Sequence, residues 1–513
     1  MLRTHLTNLE EALRNHAAAI AFKIPTVDAP VLQDDWVSIT YSQFAQDIEC
    51  LSRYWLHNLS RSGIERGSVV ALCLGGYEYI DVVQVYAISK AGYIPHTFSR
   101  LPGIPVVKEL LHKSDTKALI RSETFTEILK EIDDIPIFGS VQPEDVGYTD
   151  DIPAPPERKA SDTALIAHTS GSTSGAPKLV YVSYQWVDGA IKKFDKPWRP
   201  MERVPGVVNW IVKTGDCVLQ PRKPGNLDEI IHLLKHDVLD TMFIFAPFLV
   251  KLLNISHSDQ DLRTALTRLK EITTGGATLP RSAEDYAVKN HINIANIYAT
   301  TEGGLMMSSM GTKYDPSNSL RVVDVPGVLY QFIPVTHGET ESDQPSTKLL
   351  ELLVSSDSID CPPLSFRSPE DGHWHTGDLW EQVENGGYIY RGRDDDWIKS
   401  ENACRCDASA IEDNTRMTCG DLIFDCVVVG NGRPSPALFV EPKDGTEYEK
   451  LKEDIFSRIQ PFNNRRIAHE RIASPQMIVV IPKNELPRTA TKGNIRRRAA
   501  EEMYQELLDR IYV

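Results

Sequence analysis

The stretch from His168 to Val180 constrains the fold more than any other part of the chain, because a strand signal leads directly into a run of very small residues. The apolar residues 164–167 come first and are typical of a buried strand that enters a turn. Every residue from Thr169 to Gly175 is Ser, Thr or Gly, so backbone N–H groups can converge on one point, where a phosphate is usually held. A flexible linker is the alternative, but linkers rarely follow a strand and end in Pro-Lys. A Walker A loop is excluded because Ala176 stands where its second glycine should be.

The length and charge of the chain restrict its class. Its 513 residues are too many for one hydrophobic core, so at least two domains are expected. The formal net charge of −16, from 55 basic and 71 acidic side chains, argues against a nucleic-acid surface. Residues 1–19 read as an amphipathic helix without a signal core, and the longest apolar run, 241–250, is too short to span a bilayer. We therefore expect a cytoplasmic protein that binds neither nucleic acid nor membrane.

The cysteines and the terminal basic cluster indicate no further site. The eight cysteines are scattered and are expected to be reduced thiols. Cys404 and Cys406 form a Cys-x-Cys pair, with Cys419 and Cys426 not far on, but the spacing fits no zinc pattern. The arginines at 496–498 are interpreted as the solvated face of a terminal helix rather than as a nuclear signal.

Strand and helix signals alternate along the first part of the chain. Residues 36–42 predict a strand running into a helix that Ser42 caps, and residues 67–74 and 118–120 predict apolar strands on either side of a helix over 79–91. This alternation predicts parallel sheets with helices on their faces. Residues 178–210 are poorly patterned, and residues 243–247 look like a strand that ends at a turn.

The stretch Thr169-Ser170-Gly171-Ser172-Thr173, with Gly175, Pro177 and Lys178, resembles the phosphate loop of the adenylate-forming superfamily. That group contains acyl- and aryl-CoA ligases, adenylation domains of nonribosomal peptide synthetases, and firefly-type luciferases. Residues 91–95 and 109–111 are also similar to fungal synthetase-like carboxylic acid reductases, in which an adenylation domain precedes a carrier and a reductase. The segment between the phosphate loop and residue 243 is shorter than is usual in the family.

Four further motifs follow in the order of the family. Residues 272–277, Ile-Thr-Thr-Gly-Gly-Ala, resemble the turn that lies against adenine, and residues 296–302, Asn-Ile-Tyr-Ala-Thr-Thr-Glu, resemble Tyr-Gly-x-Thr-Glu with Ala299 in place of glycine. Residues 374–379, Trp-His-Thr-Gly-Asp-Leu, resemble the Thr-Gly-Asp motif, whose aspartate accepts both ribose hydroxyls. A hairpin at 386–393 then leads into a stretch similar to Gly-Arg-x-Asp-Asp-x-[Ile/Val]-Lys.

The C-terminal part contains three strand signals, at 426–429, 437–440 and 477–481, with helices between and after them. Residues 486–494 resemble the terminal Pro-x-Thr-x-x-Gly-Lys loop of the family with lysine and glycine exchanged, which makes Lys492 the candidate catalytic lysine. A lysine in a polar loop is more often only solvated. The resemblance implies a large N-terminal α/β domain, residues 1–394, of parallel and mixed sheets flanked by helices. A small mobile α+β lid domain, residues 395–513, would follow, with Asp395 as the hinge.

The resemblance also implies the roles of particular residues. Lys492, Thr301 and Glu302 would be catalytic; Tyr298 would stack on the base, Thr301 would contact phosphate, and Glu302 would hold Mg²⁺. Taken alone, Glu302 would be an exposed loop carboxylate and Asp378 a structural cap. The nucleotide would be bound by Thr169, Ser170, Gly171, Ser172, Thr173, Lys178, Gly276, Ala277, Asn296, Tyr298, Ala299, Thr300, Asp378 and Arg393. The substrate pocket would be lined by Phe245, Ala246, Phe248 and Gly275.

These roles imply an enzyme that uses Mg²⁺ and ATP to convert a carboxylic acid into an acyl-adenylate and pyrophosphate. The acyl group would then pass to the phosphopantetheine thiol of a carrier protein or to CoA. In members of the family that activate amino acids, the aspartate of a Phe-Asp motif pairs with the substrate ammonium. Here the Phe-Asp dipeptide at 194–195 follows Lys178 too closely to reach the pocket. We therefore expect an aryl or aliphatic acid without a free amino group. A nucleotide-binding module without turnover is the alternative, motivated by the extra Ser174 in the loop and the altered terminal loop.

Overall fold

A computed structural model describes the following residues: 2–26, 35–76, 78–98, 104–147, 157–169, 178–195, 216–223, 225–276, 278–309, 319–335, 349–394, 397–401, 405–443, 447–466, 468–488 and 495–512. Within these ranges the strands form six sheets, and most helices pack against three of them. This arrangement confirms the predicted α/β class.

The largest sheet has six strands and contains the apolar strands that the sequence of the N-terminal part predicts. The strands are β3 (Val69–Cys73), β4 (Ile94–Thr97), β5 (Thr116–Arg121), β6 (Ile137–Gly139), β7 (Thr163–His168) and β8 (Leu179–Ser183), in the order β6-β5-β3-β4-β7-β8. All neighbours are parallel except β7 and β8. The helices around it are α2 (Tyr41–Arg61), α3 (Tyr79–Lys90), α4 (Ile104–Lys113) and α5 (Tyr184–Asp195). Strand β3 is apolar on both faces because Val70 and Leu72 pack with α2 and α3, whereas Ala71 and Cys73 pack with α4.

Two local expectations in this part are wrong. Helix α2 begins at Tyr41 and is capped by Thr40, whose hydroxyl accepts from the backbone N–H of Gln43 at 3.1 Å, so Ser42 is not the cap. The poorly patterned segment after Lys178 contains strand β8 and helix α5. The charged residues Asp188 and Lys193 are buried in that helix together with its apolar core residues, and this hid its period.

A small three-stranded sheet lies beside the N-terminus. It consists of β1 (Ile20–Pro25), β2 (Trp36–Thr40) and β9 (Val218–Leu219), in the order β2-β1-β9, and it follows helix α1 (His5–His16). Helix α1 buries Leu9 and Ala12 in the same core as α2 and α3, which confirms the amphipathic helix expected there.

The five-stranded sheet carries the second group of motifs. Its strands are β10 (Thr241–Phe245), β11 (Glu271–Gly275), β12 (Ile294–Thr300), β13 (Gly304–Ser308) and β14 (Arg321–Val322), in that order; β10, β11 and β12 are parallel. Its helices are α6 (Leu227–Lys235), α7 (Ala246–Ser256), α8 (Gln260–Arg268) and α9 (Arg281–Lys289). Strand β10 passes directly into α7 rather than into a turn. Pro247 lies in the first turn of that helix, where its missing N–H has no helical partner to lose.

An antiparallel four-stranded sheet packs against the end of the five-stranded sheet. Its strands are β15 (Tyr330–Pro334), β16 (Leu349–Val354), β17 (Trp374–Gln382) and β18 (Tyr388–Arg393). The predicted hairpin is present as β17–β18, closed by a hydrogen bond from Gly386 N to Val383 O. Trp380 is fully buried in one core with Met306 and Met307 of β13, so the two sheets share apolar contacts.

The C-terminal part has cores of its own. Its elements are β19 (Ile398–Lys399), β20 (Arg405–Cys406), α10 (Ala408–Cys419), β21 (Ile423–Val429), β22 (Ala437–Pro442), α11 (Tyr448–Asn463), β23 (Ile478–Val480), α12 (Arg497–Met503) and α13 (Gln505–Ile511). Strands β21, β22 and β23 form one sheet, as the three strand signals predicted. The two buried clusters here contain described residues from 398–512 alone. The domain boundary at Asp395 lies outside the described residues and stays a prediction.

Along the described residues, no helix is both long enough and apolar enough to cross a bilayer. None of the seven cysteines in these ranges forms a disulfide with another of them, and Cys404 lies outside the described residues. No group of three or more potential metal-binding side chains occurs among the residues that were placed.

The buried carboxylate of Glu441 gives a test of the C-terminal fold. Glu441 is fully buried and is bonded to Arg488, which also binds Asp425 at 2.7 Å. Removal of one partner of a buried ion pair costs about 3–5 kcal/mol. We expect Arg488→Met to lower the midpoint of thermal unfolding and to expose residues 405–488 to hydrogen exchange.

The matched control is Arg498→Met, because Arg498 is 90% exposed and its bond to Glu502 lies on the surface of α12. Surface pairs contribute at most about 1 kcal/mol. Equal melting curves for the two variants would contradict the role given to Arg488.

Candidate active site

The ends of the candidate phosphate loop are tied together at the edge of the six-stranded sheet. Strands β7 and β8 form an antiparallel hairpin, and beyond it Thr169 N donates to Lys178 O at 2.9 Å. The Thr169 hydroxyl accepts from Lys178 N at 3.0 Å. Ser170, Gly171, Ser172 and Thr173 lie outside the described residues. The two ends of the loop are therefore held together at the sheet edge.

The parallel strands β10, β11 and β12 bring a second set of candidates to one sheet edge. Gly275 ends β11, and a Cβ on it would lie 3.0 Å from Ile297 O, so only glycine permits this close approach. Gly276 follows with φ +80°, and a Cβ there would lie 3.0 Å from the Phe245 ring. Ala277 lies outside the described residues, and Asn296, in β12, is half-buried.

The predicted pocket residues divide by their exposure. Phe245 is 55% exposed at the end of β10, and Phe248 is half-buried under the Lys251 side chain. Ala246 is 1% exposed and packs inside the core of the five-stranded sheet. Of these three residues, only the two aromatic ones are therefore accessible from outside the core.

Asp378 lies between two tyrosine hydroxyls. Tyr298 donates to its Oδ2 at 2.5 Å and Tyr390 to its Oδ1 at 3.0 Å, while Asp378 itself is 6% exposed. Burial, followed by the charge and hydrogen bond of Asp378, raises the pKa of Tyr298 well above its ordinary value. The hydroxyl therefore stays protonated and donates. The Tyr298 ring packs edge-on against Trp380 at 4.9 Å.

Arg393 and the glycine of the Thr-Gly-Asp motif lie beside this carboxylate. Arg393 is the ladder partner of Asp378 across β17 and β18, and its Nη2 donates to Thr376 O at 3.2 Å. Gly377 adopts φ +70°, a conformation that favours glycine, and its position faces the Arg393 guanidinium. A cation and a buried carboxylate thus lie on adjacent strands.

Thr301 and Glu302 occupy the turn between β12 and β13. Ala299 and Thr301 are exposed, whereas Thr300 and Glu302 are half-buried. The Thr300 hydroxyl accepts from Gly303 N at 2.9 Å, and Glu302 O accepts from the Trp186 indole N–H at 3.0 Å. The backbone of this turn is therefore bonded both to the Thr300 side chain at the end of β12 and to a side chain of helix α5.

The sequence did not single out Trp186, Lys193 or Tyr390 as site residues. Lys193 Nζ donates to Leu305 O at 2.7 Å and is bonded to Asp360 and Tyr330, all behind the turn that bears Glu302. Trp186 and Lys193 are two helical turns apart on α5, so their shared face was a signal that could have been found. The remaining predicted residues, Asp395 and Lys492, lie outside the described residues.

Comparison with known proteins identifies the family of the chain. The family model described as AMP-binding enzyme matches residues 16–330, more than half of the chain, and the AMP-binding enzyme C-terminal domain matches residues 395–513. The chain therefore belongs to the AMP-binding family of adenylate-forming enzymes. The family resemblance that the motifs predicted is confirmed.

The particular relatives are fungal enzymes. The AMP-binding domain-containing enzyme iboA of Amanita muscaria (strain Koide BX008) is 30% identical over 522 residues, covering 94% of this chain and 98% of that protein. The carboxylic acid reductase of Neurospora crassa is 24% identical over 392 residues, covering 68% of this chain but 35% of that longer protein.

Solved structures share the fold at low identity. The anthranilate CoA ligase AuaEII in complex with anthranoyl-AMP has a TM-score of 0.72 and 16% identity, with coverage of 99% of this chain and 98% of that one. The McyG A-PCP structure, complexed with phenylalanyl-adenylate, has a TM-score of 0.74 and 15% identity, with coverage of 100% and 84%.

The bond between Tyr298 and Asp378 can be tested on stability. Tyr298→Phe keeps the ring against Trp380 but removes one of the two hydroxyl donors to a buried carboxylate. Hydrogen bonds to charged groups contribute about 1.5–3 kcal/mol. We expect the variant to unfold at a lower urea concentration than the parent.

Tyr388→Phe is the matched control, because its hydroxyl makes a 3.4 Å contact with Gln382 at an exposed edge while its ring stacks on Phe332. If Tyr298→Phe and Tyr388→Phe lower the midpoint of urea unfolding equally, the hydrogen bond from Tyr298 to Asp378 does not stabilise the fold as described.

Proposed function

We propose that the chain adenylates a carboxylic acid with ATP and then transfers the acyl group to a thiol. The observation that carries this proposal is the hydrogen bond between Tyr298 and Asp378, which are 80 residues apart in the sequence. Arg393 lies beside this pair, and Glu302 is in the turn that follows the strand of Tyr298. Such an edge offers an aromatic ring, a buried acceptor and a cation, the groups that a nucleoside phosphate needs. We also propose that the enzyme acts in the cytoplasm.

Each part of the nucleotide has candidate contacts. The base would lie against Gly276 and the Tyr298 ring, and the ribose hydroxyls would donate to Asp378, with Arg393 beside them. The two tyrosine donors do not exclude this, because a carboxylate offers about four lone-pair positions. The β- and γ-phosphates would be held by the loop that Thr169 and Lys178 close.

The residues present fit a magnesium ion held together with the nucleotide. Mg²⁺ is commonly bound by one or two carboxylates plus substrate phosphates and water, rather than by a cage of side chains. Glu302, at a half-buried turn, would supply one hard oxygen ligand, and the placed part of the chain contains no group of three or more potential metal ligands. When bound, the ion neutralises phosphate charge.

The reaction would proceed in two half-reactions. A carboxylate oxygen attacks the α-phosphorus, the bond to the β-phosphate breaks, and pyrophosphate leaves with the electron pair. Lys492 would neutralise the charge shared by the carboxylate and α-phosphate oxygens. The lid, residues 395–513, would then rotate about Asp395, and a thiolate would attack the acyl carbon and release AMP.

The acceptor thiol has two candidates. The AuaEII structure is that of a CoA ligase, whereas the McyG structure joins an adenylation domain to a carrier. Both chemistries present the same phosphopantetheine thiol. A nucleotide-binding module without turnover is the competing function, and substrate-dependent pyrophosphate exchange over a panel of carboxylic acids separates it from the enzyme.

Lys492→Ala is expected to lower acid-dependent pyrophosphate exchange by about 10²–10³, because loss of one preorganised charge at a reacting centre has this effect. Thioester formation from a supplied acyl-adenylate should be largely retained, since the lysine is needed only for the first step. The control is Lys483→Ala, a lysine whose Nζ lies 5.4 Å from the Phe424 ring. Full exchange in Lys492→Ala, or loss in Lys483→Ala or Lys399→Ala instead, would reassign the catalytic role.

The substrate is expected to be an aryl or aliphatic acid without a free amino group. The exposed ring of Phe245 beside Gly276 suits an apolar acyl group, and a buried ammonium would need an anionic partner there. The measurement is pyrophosphate exchange with matched pairs, each an amino acid and its deamino or keto analogue. A consistent preference for the amino acid that disappears in Asp195→Ala would refute this specificity.

A further inference from the structure

The last turn of helix α5 carries a lysine that has almost no contact with solvent. Lys193 is 1% exposed, and its ammonium is bonded to Leu305 O at 2.7 Å, Tyr330 Oη at 2.9 Å, Asp360 Oδ2 and, at 3.3 Å, Gly303 O. A buried ammonium is costly unless every donor has a partner. Here three N–H groups meet four oxygens, so the ammonium is satisfied.

The counter-ion is equally buried and equally bonded. Asp360 is 1% exposed and accepts hydrogen bonds from Tyr330 Oη and from Ser358 Oγ, the latter at 2.5 Å. Burial lowers the pKa of Lys193, and the charge and hydrogen bond of Asp360 oppose that shift. A packed apolar pair is often as stabilising as a buried ion pair, so stability alone does not account for these residues.

The Lys193 ammonium also binds the backbone next to Glu302 and so restricts its conformation. Lys193 binds the carbonyls of Gly303 and Leu305, and Trp186 of the same helix binds the carbonyl of Glu302. Gly304 between them has φ +64°, and a Cβ there would lie 2.9 Å from the Trp186 ring. Side chains of α5 therefore bind two carbonyls of the turn, those of Glu302 and Gly303, and one carbonyl of β13, that of Leu305.

The same helix is joined to the phosphate loop. Strand β8 ends at Ser183 and α5 begins at Tyr184, with the Ser183 hydroxyl accepting from Trp186 N at 3.1 Å. The loop base and the Glu302 turn thus have one rigid support in common, although they belong to different sheets. A displacement of α5 would change the distance between the two.

We propose that Lys193, paired with Asp360, is a positioning residue that holds the turn bearing Glu302 in the position, relative to the loop ends at Thr169 and Lys178, that a metal–nucleotide complex requires. This inference rests on the proposed role of Glu302 as a magnesium ligand. It assigns the ion pair to the use of Mg²⁺ and ATP and not to recognition of the carboxylic acid.

The test replaces the whole ion pair by apolar side chains. Lys193→Met alone would leave Asp360 charged and buried, so the variant of choice is the double substitution Lys193→Met with Asp360→Leu, which removes both charges. Lys192→Met is the matched control, because this neighbouring lysine is 40% exposed and its partner Asp188 keeps a second cation, Arg3. Both proteins are compared with the parent as full chains.

Two readouts separate positioning from mere packing. In the double variant we expect at least tenfold faster hydrogen exchange of the amides of residues 302–306, with a melting temperature close to that of the parent. The Mg²⁺ concentration for half-maximal pyrophosphate exchange should rise about five- to tenfold, while KM for the carboxylic acid stays unchanged. Lys192→Met should match the parent in both.

A folded double variant with parental hydrogen exchange in this turn, or with parental Mg²⁺ dependence, overturns the inference. If no carboxylic acid supports pyrophosphate exchange by the parent protein, the proposed function fails, independently of the role of Lys193. In that case calorimetric titration with ATP at several Mg²⁺ concentrations replaces the second readout, and the same shift or its absence decides the role of Lys193.

Discussion

The hydrogen bond from Tyr298 to the buried carboxylate of Asp378 joins two sheets that the chain builds separately. Tyr298 belongs to the five-stranded sheet and Asp378 to the antiparallel four-stranded sheet, and their shared apolar core around Trp380 places the two side chains within reach. Helix α5 connects the six-stranded sheet to these two sheets. It follows the β7–β8 hairpin, and its side chains bind backbone carbonyls in the turn after β12 and in β13. The candidate site is therefore a junction of three sheets.

A junction of this kind explains why charged groups are buried at the site. Asp378, Lys193 and Asp360 are each at most 6% exposed, and each has hydrogen-bond partners from a different element. Water cannot replace a partner that moves away, so a small displacement of one element leaves a buried charge unsatisfied. The arrangement favours a single relative position of the three sheets.

The sequence predicted the features that depend on local pattern. The strand before the phosphate loop, the Gly275–Gly276 turn and the β17–β18 hairpin were all visible because glycines and alternating apolar residues determine them locally. Helix α5 was missed because Lys193 on its buried face looks like a solvated lysine. Its counter-ion is Asp360, 167 residues away, and nothing in the local sequence indicates that pairing. Tyr390 was missed for the same reason, since its partner is on the opposite strand.

The central claim is that a carboxylate oxygen attacks the α-phosphorus of ATP at this junction. The most direct measurement uses the acid that gives the strongest pyrophosphate exchange, labelled with ¹⁸O in its carboxylate, with a phosphopantetheine thiol as acceptor. Mass spectrometry of the released AMP should show one ¹⁸O atom per turnover, because the bridging oxygen leaves with AMP when the thiolate attacks the acyl carbon. Unlabelled AMP, or ¹⁸O in inorganic phosphate instead, would contradict the account.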